Sequence, residues 1–322
     1  MRKTFNKTVV FGFVVLFSLQ LQAQEEKIDI DSLQSEVTVT KINLKTLKPV
    51  AEKTMDADGK LTDLRDGSIY RTREFGDAGR WMLENLSYIP SVEDGFLPRA
   101  ENFPPPFKDK AYCYPQNTDG EYSIYQAANE WDMQKGILYN WAAATNNENK
   151  RDLSNQGQGS KDAGPKKHIQ GICPEGWHLP NDKEWNDLER EIYNNPEKYS
   201  SYSGSEEFDP AVWNPDWESG LKGAGARGSI NKKGHALAMI SDSVAAYGGT
   251  GHTAIKGGFD VLLAGGAGGG VMGNSDDGGS FWTSSSYDED NAWGRNMTAR
   301  FSQVYRNTYH RLYFFSVRCK KD

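Results

Sequence analysis

Three cysteines, five histidines and no excess of basic residues mark what this 322-residue chain lacks. No CxxC and no HExxH occurs, and no two of His168, His178, His235, His252 and His310 stand at a close ligand spacing. The sequence therefore offers no metal motif, and no cofactor is expected from it. Asp and Glu outnumber Lys and Arg by 44 to 37, which argues against nucleic acid or an anionic membrane surface as a partner, since both demand basic patches. Long hydrophobic runs are missing too. Val9 to Leu21 is the one extended apolar segment, and its 13 residues fall short of the roughly 20 needed to span a bilayer. No GxSxG and no evident Cys/His pairing points to a nucleophile.

What the first residues do contain is an export signal. Arg2, Lys3 and Lys7 precede the apolar run, and Leu21-Gln22-Ala23 offers a small residue before a cleavage point at Gln24. No cysteine occurs before Cys113, so there is no lipobox to acylate. The expectation is a product released outside the cytoplasm or associated with the cell surface, without membrane insertion after cleavage. Removing residues 1–23 leaves 34 basic against 44 acidic residues, a net charge of −10. In an exported chain a disulfide is the default, and Cys113, Cys173 and Cys319 allow three pairings with one thiol left over.

The second half is rich in glycine, and 9 Trp, 15 Tyr and 14 Phe supply the bulk of a core. This composition predicts short strands, Gly-rich turns and few long helices. Residues 24–62 read as an N-terminal extension, with one alternating strand at Val37 to Leu44. Residues 66–88 read as a hairpin, with Ile69, Arg71 and Arg73 alternating with Tyr70, Thr72 and Glu74 before a turn at Gly76 to Gly79. Residues 89–110, with three consecutive prolines at Pro104 to Pro106, read as a surface loop. Residues 123–146 are a helix candidate ended by Asn146-Asn147. A second helix is predicted from Asn181, with Glu184 completing a capping box and Trp185, Leu188 and Ile192 on one face. Cys173, Trp177 and Leu179 form a buried entry strand before it. Short strands follow from residue 259, ending in a hairpin of Val304 to Arg306 with Leu312 to Cys319 around residues 307–311.

Six ordered blocks then carry a family resemblance: DGSIYRT with WMLENL, CY with LYNWAAA, CPEGWHLPNDKEWNDL, GFDVLLAGG, FWTSSSYDEDNAWGRNM, and FFSVRCKKD. The series resembles the Fibrobacter succinogenes major paralogous domain over residues 63–322. The resemblance implies a secreted bacterial domain of α+β class, related to C-type lectin-like and formylglycine-generating-enzyme-like folds, with short antiparallel strands, two main helices and long loops. It implies a bridge between Cys173 and Cys319. It implies no specific activity. The chain departs from the family pattern before Gly136, where the expected second cysteine is absent, which leaves Cys113 outside a bridge.

Several motifs reduce to structure. Gly268, Gly270 and Gly273 spell GxGxxG, but turn residues rather than a helix follow, so tight turns are the better reading than a dinucleotide site. Trp185-Asn186-Asp187 spells the WND of calcium-dependent lectins, but inside a predicted helix. Asp276-Asp277 and Asp288 to Asp290 read as solvated acidic loops. The remaining functional handle is aromatic: Trp213, Trp217, Tyr287, Tyr305 and Tyr309, in or beside loops, are the candidate ligand-binding residues, because sugar rings stack on such side chains. The expectation is a non-catalytic binding or adhesion module whose partner is a polysaccharide or a surface protein. The alternatives are a structural subunit of a surface assembly and a glycan-active enzyme.

Overall fold

The computed structural model describes residues 59–98, 109–115, 132–148, 168–201, 213–214, 217, 221, 223–227, 235–247, 249–268, 271–273, 277–299, 301 and 303–322. The predicted strand at Val37 to Leu44 lies outside them. In the first half the strands are β1 (Lys60–Thr62), β2 (Ile69–Glu74), β3 (Arg80–Met82), β4 (Phe96–Pro98), β5 (Lys110–Cys113) and β6 (Leu138–Asn140). In the second half they are β7 (Trp177–His178), β8 (Gly225–Arg227), β9 (Gly266–Gly268), β10 (Val271–Gly273), β11 (Gly278–Ser286), β12 (Asn291–Thr298), β13 (Val304–His310), β14 (Phe314–Ser316) and β15 (Lys320–Lys321). The α-helices are α1 (Trp141–Ala144), α2 (Asp182–Asn194), α3 (Pro196–Tyr199) and α4 (His235–Met239). The class is α+β, with strands dominating.

The strands form two sheets. One runs β1-β2-β3-β15-β7, so a strand from the end of the chain lies between the first hairpin and β7. The hairpin itself is as the alternation predicts: β2 and β3 are antiparallel with Arg73 opposite Trp81, and Tyr70 and Thr72 face inward. The larger sheet runs β4-β5-β6-β14-β11-β12-β13-β8, with the β9–β10 hairpin attached to β14. That hairpin is what the glycine run builds, with Val271 opposite Gly268.

β11 is buried along its whole length and divides the core. Side chains alternate across a strand. Trp282 therefore packs on one side, 4.4 Å from Phe315, in a cluster with Tyr139, Trp141 and Trp177. Phe281 packs on the other side, 5.3 Å from Trp185, in a cluster with Trp81 and Phe259. α2 supplies the second cluster, with Trp185, Leu188 and Ile192 all fully buried. Its start is the predicted capping box: Asn181 accepts from the Glu184 amide, and the Glu184 carboxylate accepts from Asn181. The WND tripeptide sits inside this helix.

Two predicted elements come out differently. The helix expected across 123–146 is a strand over Leu138–Asn140, then the single turn of α1; residues 116–131 lie outside the described set. α2 is thus the one long helix among the described residues. The reason is pairing: β6 lies antiparallel to β14, with Tyr139 opposite Phe315, and this overrides the helix preference of the block. Asn140 then caps α1 by accepting from the Ala143 amide. Asn146 and Asn147, both at positive φ, end it as expected. The terminal hairpin is also corrected. β13 runs on to His310 against β12, while β14 turns away to pair with β6 and, in parallel, with β11.

Cys173 and Cys319 form a disulfide across 146 residues of chain. Cys113 is buried outside it, among Ala111, Leu138, Ala267 and Phe314.

Candidate functional site

The five aromatic candidates are only partly brought together. Trp213 and Trp217 are 9% and 8% exposed, so they are core residues and not the solvent-facing platforms expected of them. Their rings meet edge to face at 5.2 Å, and both lie over the Arg306 guanidinium, at 5.5 and 5.7 Å. Trp293 covers the same guanidinium at 3.6 Å, and Tyr287 packs on Trp293 at 5.5 Å. Trp213, Trp217 and Tyr287 thus belong to one aromatic wrapping of a buried cation. Tyr305 and Tyr309 sit on β13, half-buried. Tyr305 packs on Phe301, and Tyr309 packs on Phe315 at 4.9 Å.

What the aromatics wrap is a buried charge cluster. Asp182, at the first position of α2, receives Arg295 at 2.6 Å and Arg306 at 2.5 Å. Glu189, two turns on, receives Arg295 at 2.5 Å, Arg227 at 2.9 Å and His235 at 3.3 Å. Burial works against the charge of Asp182, but Arg306 and Arg295 outweigh it and hold the carboxyl below its ordinary value. Glu189 behaves likewise, with Arg227 and Arg295 outweighing its burial. Burial pushes Arg227 down to about 10 against the pull of Glu189. The cluster ties α2 to β8, β12, β13 and α4. It is a fully enclosed structural device.

An accessible concavity among the described residues lies elsewhere, over the first hairpin. A cleft of 440 Å³ is lined by Ser68 to Arg71, Glu84, Asn85 and Ser87, by Met133 and Gln134, and by Ser243, Thr253 to Ile255, Asp260 and Leu262. Three aliphatic side chains stand at its rim: Ile69 is 64% exposed, Met133 62% and Ile255 80%. They come from β2, from the turn before β6 and from the turn after Thr253. Ile69, Met133 and Ile255 thus leave apolar side chains in solvent at the edge of one cleft.

The cleft is built on a rigid floor. Arg318, fully buried beneath it, donates to Asn85 Oδ1 at 2.9 Å and to the carbonyls of Phe259 and Asp260. Asn85 passes the contact on to the Lys135 carbonyl at 3.0 Å and to Ser316 Oγ at 3.2 Å. Gly136 permits this approach: it sits at φ +72°, and a Cβ there would lie 2.6 Å from the Asn85 Cβ. On the wall, Glu84 accepts from the Arg71 amide at 2.7 Å and from its guanidinium at 2.8 Å. Burial raises the Glu84 carboxyl above its ordinary value despite those bonds. Asp260 holds a left-handed backbone, φ 56°. Its Oδ2 accepts from the Ala254 amide at 2.7 Å, while its Oδ1 is buried with no hydrogen-bond partner. That Oδ1 is enclosed by protein, and the Asp260 charge acts on the buried Arg318 guanidinium. None of these residues stood out in the sequence. The one available signal was Ile69, an apolar residue on the outward face that it shares with Arg71.

A third cluster joins two histidines that stand ten positions apart in sequence. The rings of His168 and His178 stack at 3.9 Å, and Asp322 Oδ1 lies 2.7 Å from His178 Nδ1. The acidic loop at Asp288 is by contrast consumed by its own turn, its carboxylate accepting from the Asp290 and Asn291 amides.

Together these features define a disulfide-bridged α+β protein with a buried charge cluster and, among the described residues, a cleft rimmed by aliphatic side chains. The chain belongs to the Fibrobacter succinogenes major domain family, whose model matches residues 77–321. No curated protein and no solved structure matches it at a significant level.

Proposed function

We propose that the chain is an exported, non-catalytic binding module on a C-type lectin-like scaffold, and that its cleft takes a polypeptide segment of a surface protein. The observation that carries this reading is the cleft itself: three exposed aliphatic side chains around a concavity lined by Glu84 and Asp260. Aliphatic rims suit the side chains of a peptide, whereas sugar rings favour aromatic platforms, and Trp213 and Trp217 are enclosed. The acidic chain favours a cationic segment, and the carboxylates of Glu84 and Asp260 line the cleft that would receive it. Export is supported by the N-terminal signal features and by a disulfide of the kind that persists in oxidising compartments. Among the described residues no helix is long and apolar enough to cross a membrane.

The test is a peptide library and a glycan array probed with the same purified protein. Peptides with a Lys or Arg flanked by aliphatic residues are the expected ligands. Ile69→Asp and Ile255→Asp alter exposed positions, leave the fold intact and lower affinity about tenfold each, the scale of about 1.4 kcal/mol. Asp260→Asn keeps a residue that tolerates left-handed backbone and removes the preference for a cationic donor. Binding to a glycan and to no peptide, indifferent to these substitutions, would overturn the proposal.

A further inference from the structure

We infer that His168, His178 and Asp322 form a binding site for one transition-metal ion of the zinc type, at the seam where the last strand meets β7. The site is independent of the cleft described above. Its three donor atoms lie within 4.8 Å of one another. Asp322 Oδ1 is 2.7 Å from His178 Nδ1 and 3.7 Å from His168 Nδ1. Two donors held at about 2.0–2.1 Å from a tetrahedral ion stand roughly 3.3 Å apart, so both separations need shifts of about half an ångström.

The cluster is supported from behind in the way metal-binding imidazoles are. His178 is buried, on β7, and its other ring nitrogen faces the Glu184 carboxylate at 3.0 and 3.2 Å. With Nε2–H given to Glu184, an entering ion takes the Nδ1 lone pair in place of the proton that otherwise joins Nδ1 to Asp322 Oδ1, and that proton leaves to solvent. A carboxylate behind a histidine fixes the tautomer and orientation that a metal requires. Glu184 is itself held by Lys320 at 2.8 Å, and its place at the start of α2 is fixed by the capping box. Asp322 is aligned by its amide, which donates to the Gly176 carbonyl at 3.2 Å. The supporting group is thus preset and buried, while two of the three donors are reachable.

His168 and Asp322 are exposed, so an ion can enter from solvent. The His168 ring lies at 30° to that of His178. Coordination by both rings needs a wider angle, so the exposed His168 ring turns out of the stack as the ion enters. Three protein ligands leave the fourth position open to water. An imidazole-carboxylate donor set selects zinc and its neighbours over calcium and magnesium, which take oxygen ligands.

The experiment is a titration of the untagged, disulfide-intact full chain with Zn2+, followed by calorimetry and thermal unfolding, and with Co2+, followed by its visible absorption. The expected result is one equivalent bound, a rise in melting temperature, and a tetrahedral cobalt spectrum that survives excess Ca2+. His168→Ala and Asp322→Asn change exposed side chains and keep the fold. Each is expected to weaken Zn2+ binding by about 100-fold and to abolish the melting shift. Glu184→Gln retains the capping box and is expected to weaken binding by about 10-fold. Absence of one-to-one binding, or binding that neither His168→Ala nor Asp322→Asn weakens, would overturn the site.

Discussion

Asp182 shows how a single side chain can hold several elements at once. The sequence marks its neighbours, Asn181 as the cap and Glu184 as the partner in the box, because both act within one helical turn. Asp182 itself carries no such mark. Its partners Arg295 and Arg306 stand 113 and 124 residues away, and no local pattern announces a pairing at that distance. The same limit explains the cleft: Glu84, Met133, Ile255 and Asp260 are local surface residues until the fold gathers them. It also explains Trp213 and Trp217, whose loop-like sequence surroundings gave no hint of the Arg306 guanidinium that draws them inward. Asp182→Ala removes a fully buried carboxylate and leaves Arg306 and part of Arg295 uncompensated. Breaking a buried ion pair from one side costs about 3–5 kcal/mol. Urea unfolding should show a loss of that size, and a loss under about 1 kcal/mol would mean that the arginines find other partners. Gly136→Ala tests the cleft floor in the same way. The left-handed backbone and the contact with Asn85 predict a cost of more than about 1 kcal/mol, with Asn85 and Arg318 displaced in its spectrum.

At the scale of elements, β7, β15 and the start of α2 meet around Glu184. Burial opposes its charge, but the hydrogen bond from His178, the charge of that ring and Lys320 together bring its carboxyl from 4.5 down to about 2. A depressed carboxyl stabilises the folded state above its unfolded value and loses that contribution as pH falls through the folded value. For Glu184 the loss runs from about pH 4.5 to about pH 2, and a shift of that size is worth on the order of 3 kcal/mol. Asp182 and Glu189 are shifted in the same direction and steepen the acid limb. Glu184→Gln separates the charge from the cap, because glutamine can still accept from the Asn181 amide. The variant should be less stable than the parent at pH 7 and nearly equal to it at pH 2. A difference that does not shrink with acid would assign the loss to packing. Elements built from local rules were the legible ones: the first hairpin, the helix from Asn181 and the turns of the glycine run. Local pattern makes β6 a helix and makes β14 a strand partnered by β13, because the pairing of β6 with β14 decides both and neither strand carries it in its own sequence.

At the scale of the molecule, the Cys173–Cys319 bridge holds the first sheet together. β15 is only two residues long, yet it links the hairpin to β7 through Lys320 opposite Trp81 and His178, and Lys321 opposite Trp177. So short a strand cannot hold its place by ladder bonds alone. The Met82 amide donates to the Cys319 carbonyl at 2.9 Å and the Leu86 amide to the Val317 carbonyl at 2.9 Å, so the hairpin side depends on the same segment. Closing a loop of 146 residues is worth about 5 kcal/mol in the chain-entropy model. Reduction should therefore lower stability by up to about that amount, and it should do so unevenly. Hydrogen exchange should accelerate first at Met82, Leu86 and Lys320, where β15 leaves the sheet. The amides of β11 and β12, buried between the two cores, should stay protected until global unfolding. A uniform loss of protection would show instead that the bridge acts only on the unfolded chain. The cleft gives a second readout. Its floor includes Asn85 and Arg318, one residue from Cys319, so reduction should weaken the proposed peptide binding more than a substitution that lowers overall stability equally, such as Trp185→Phe.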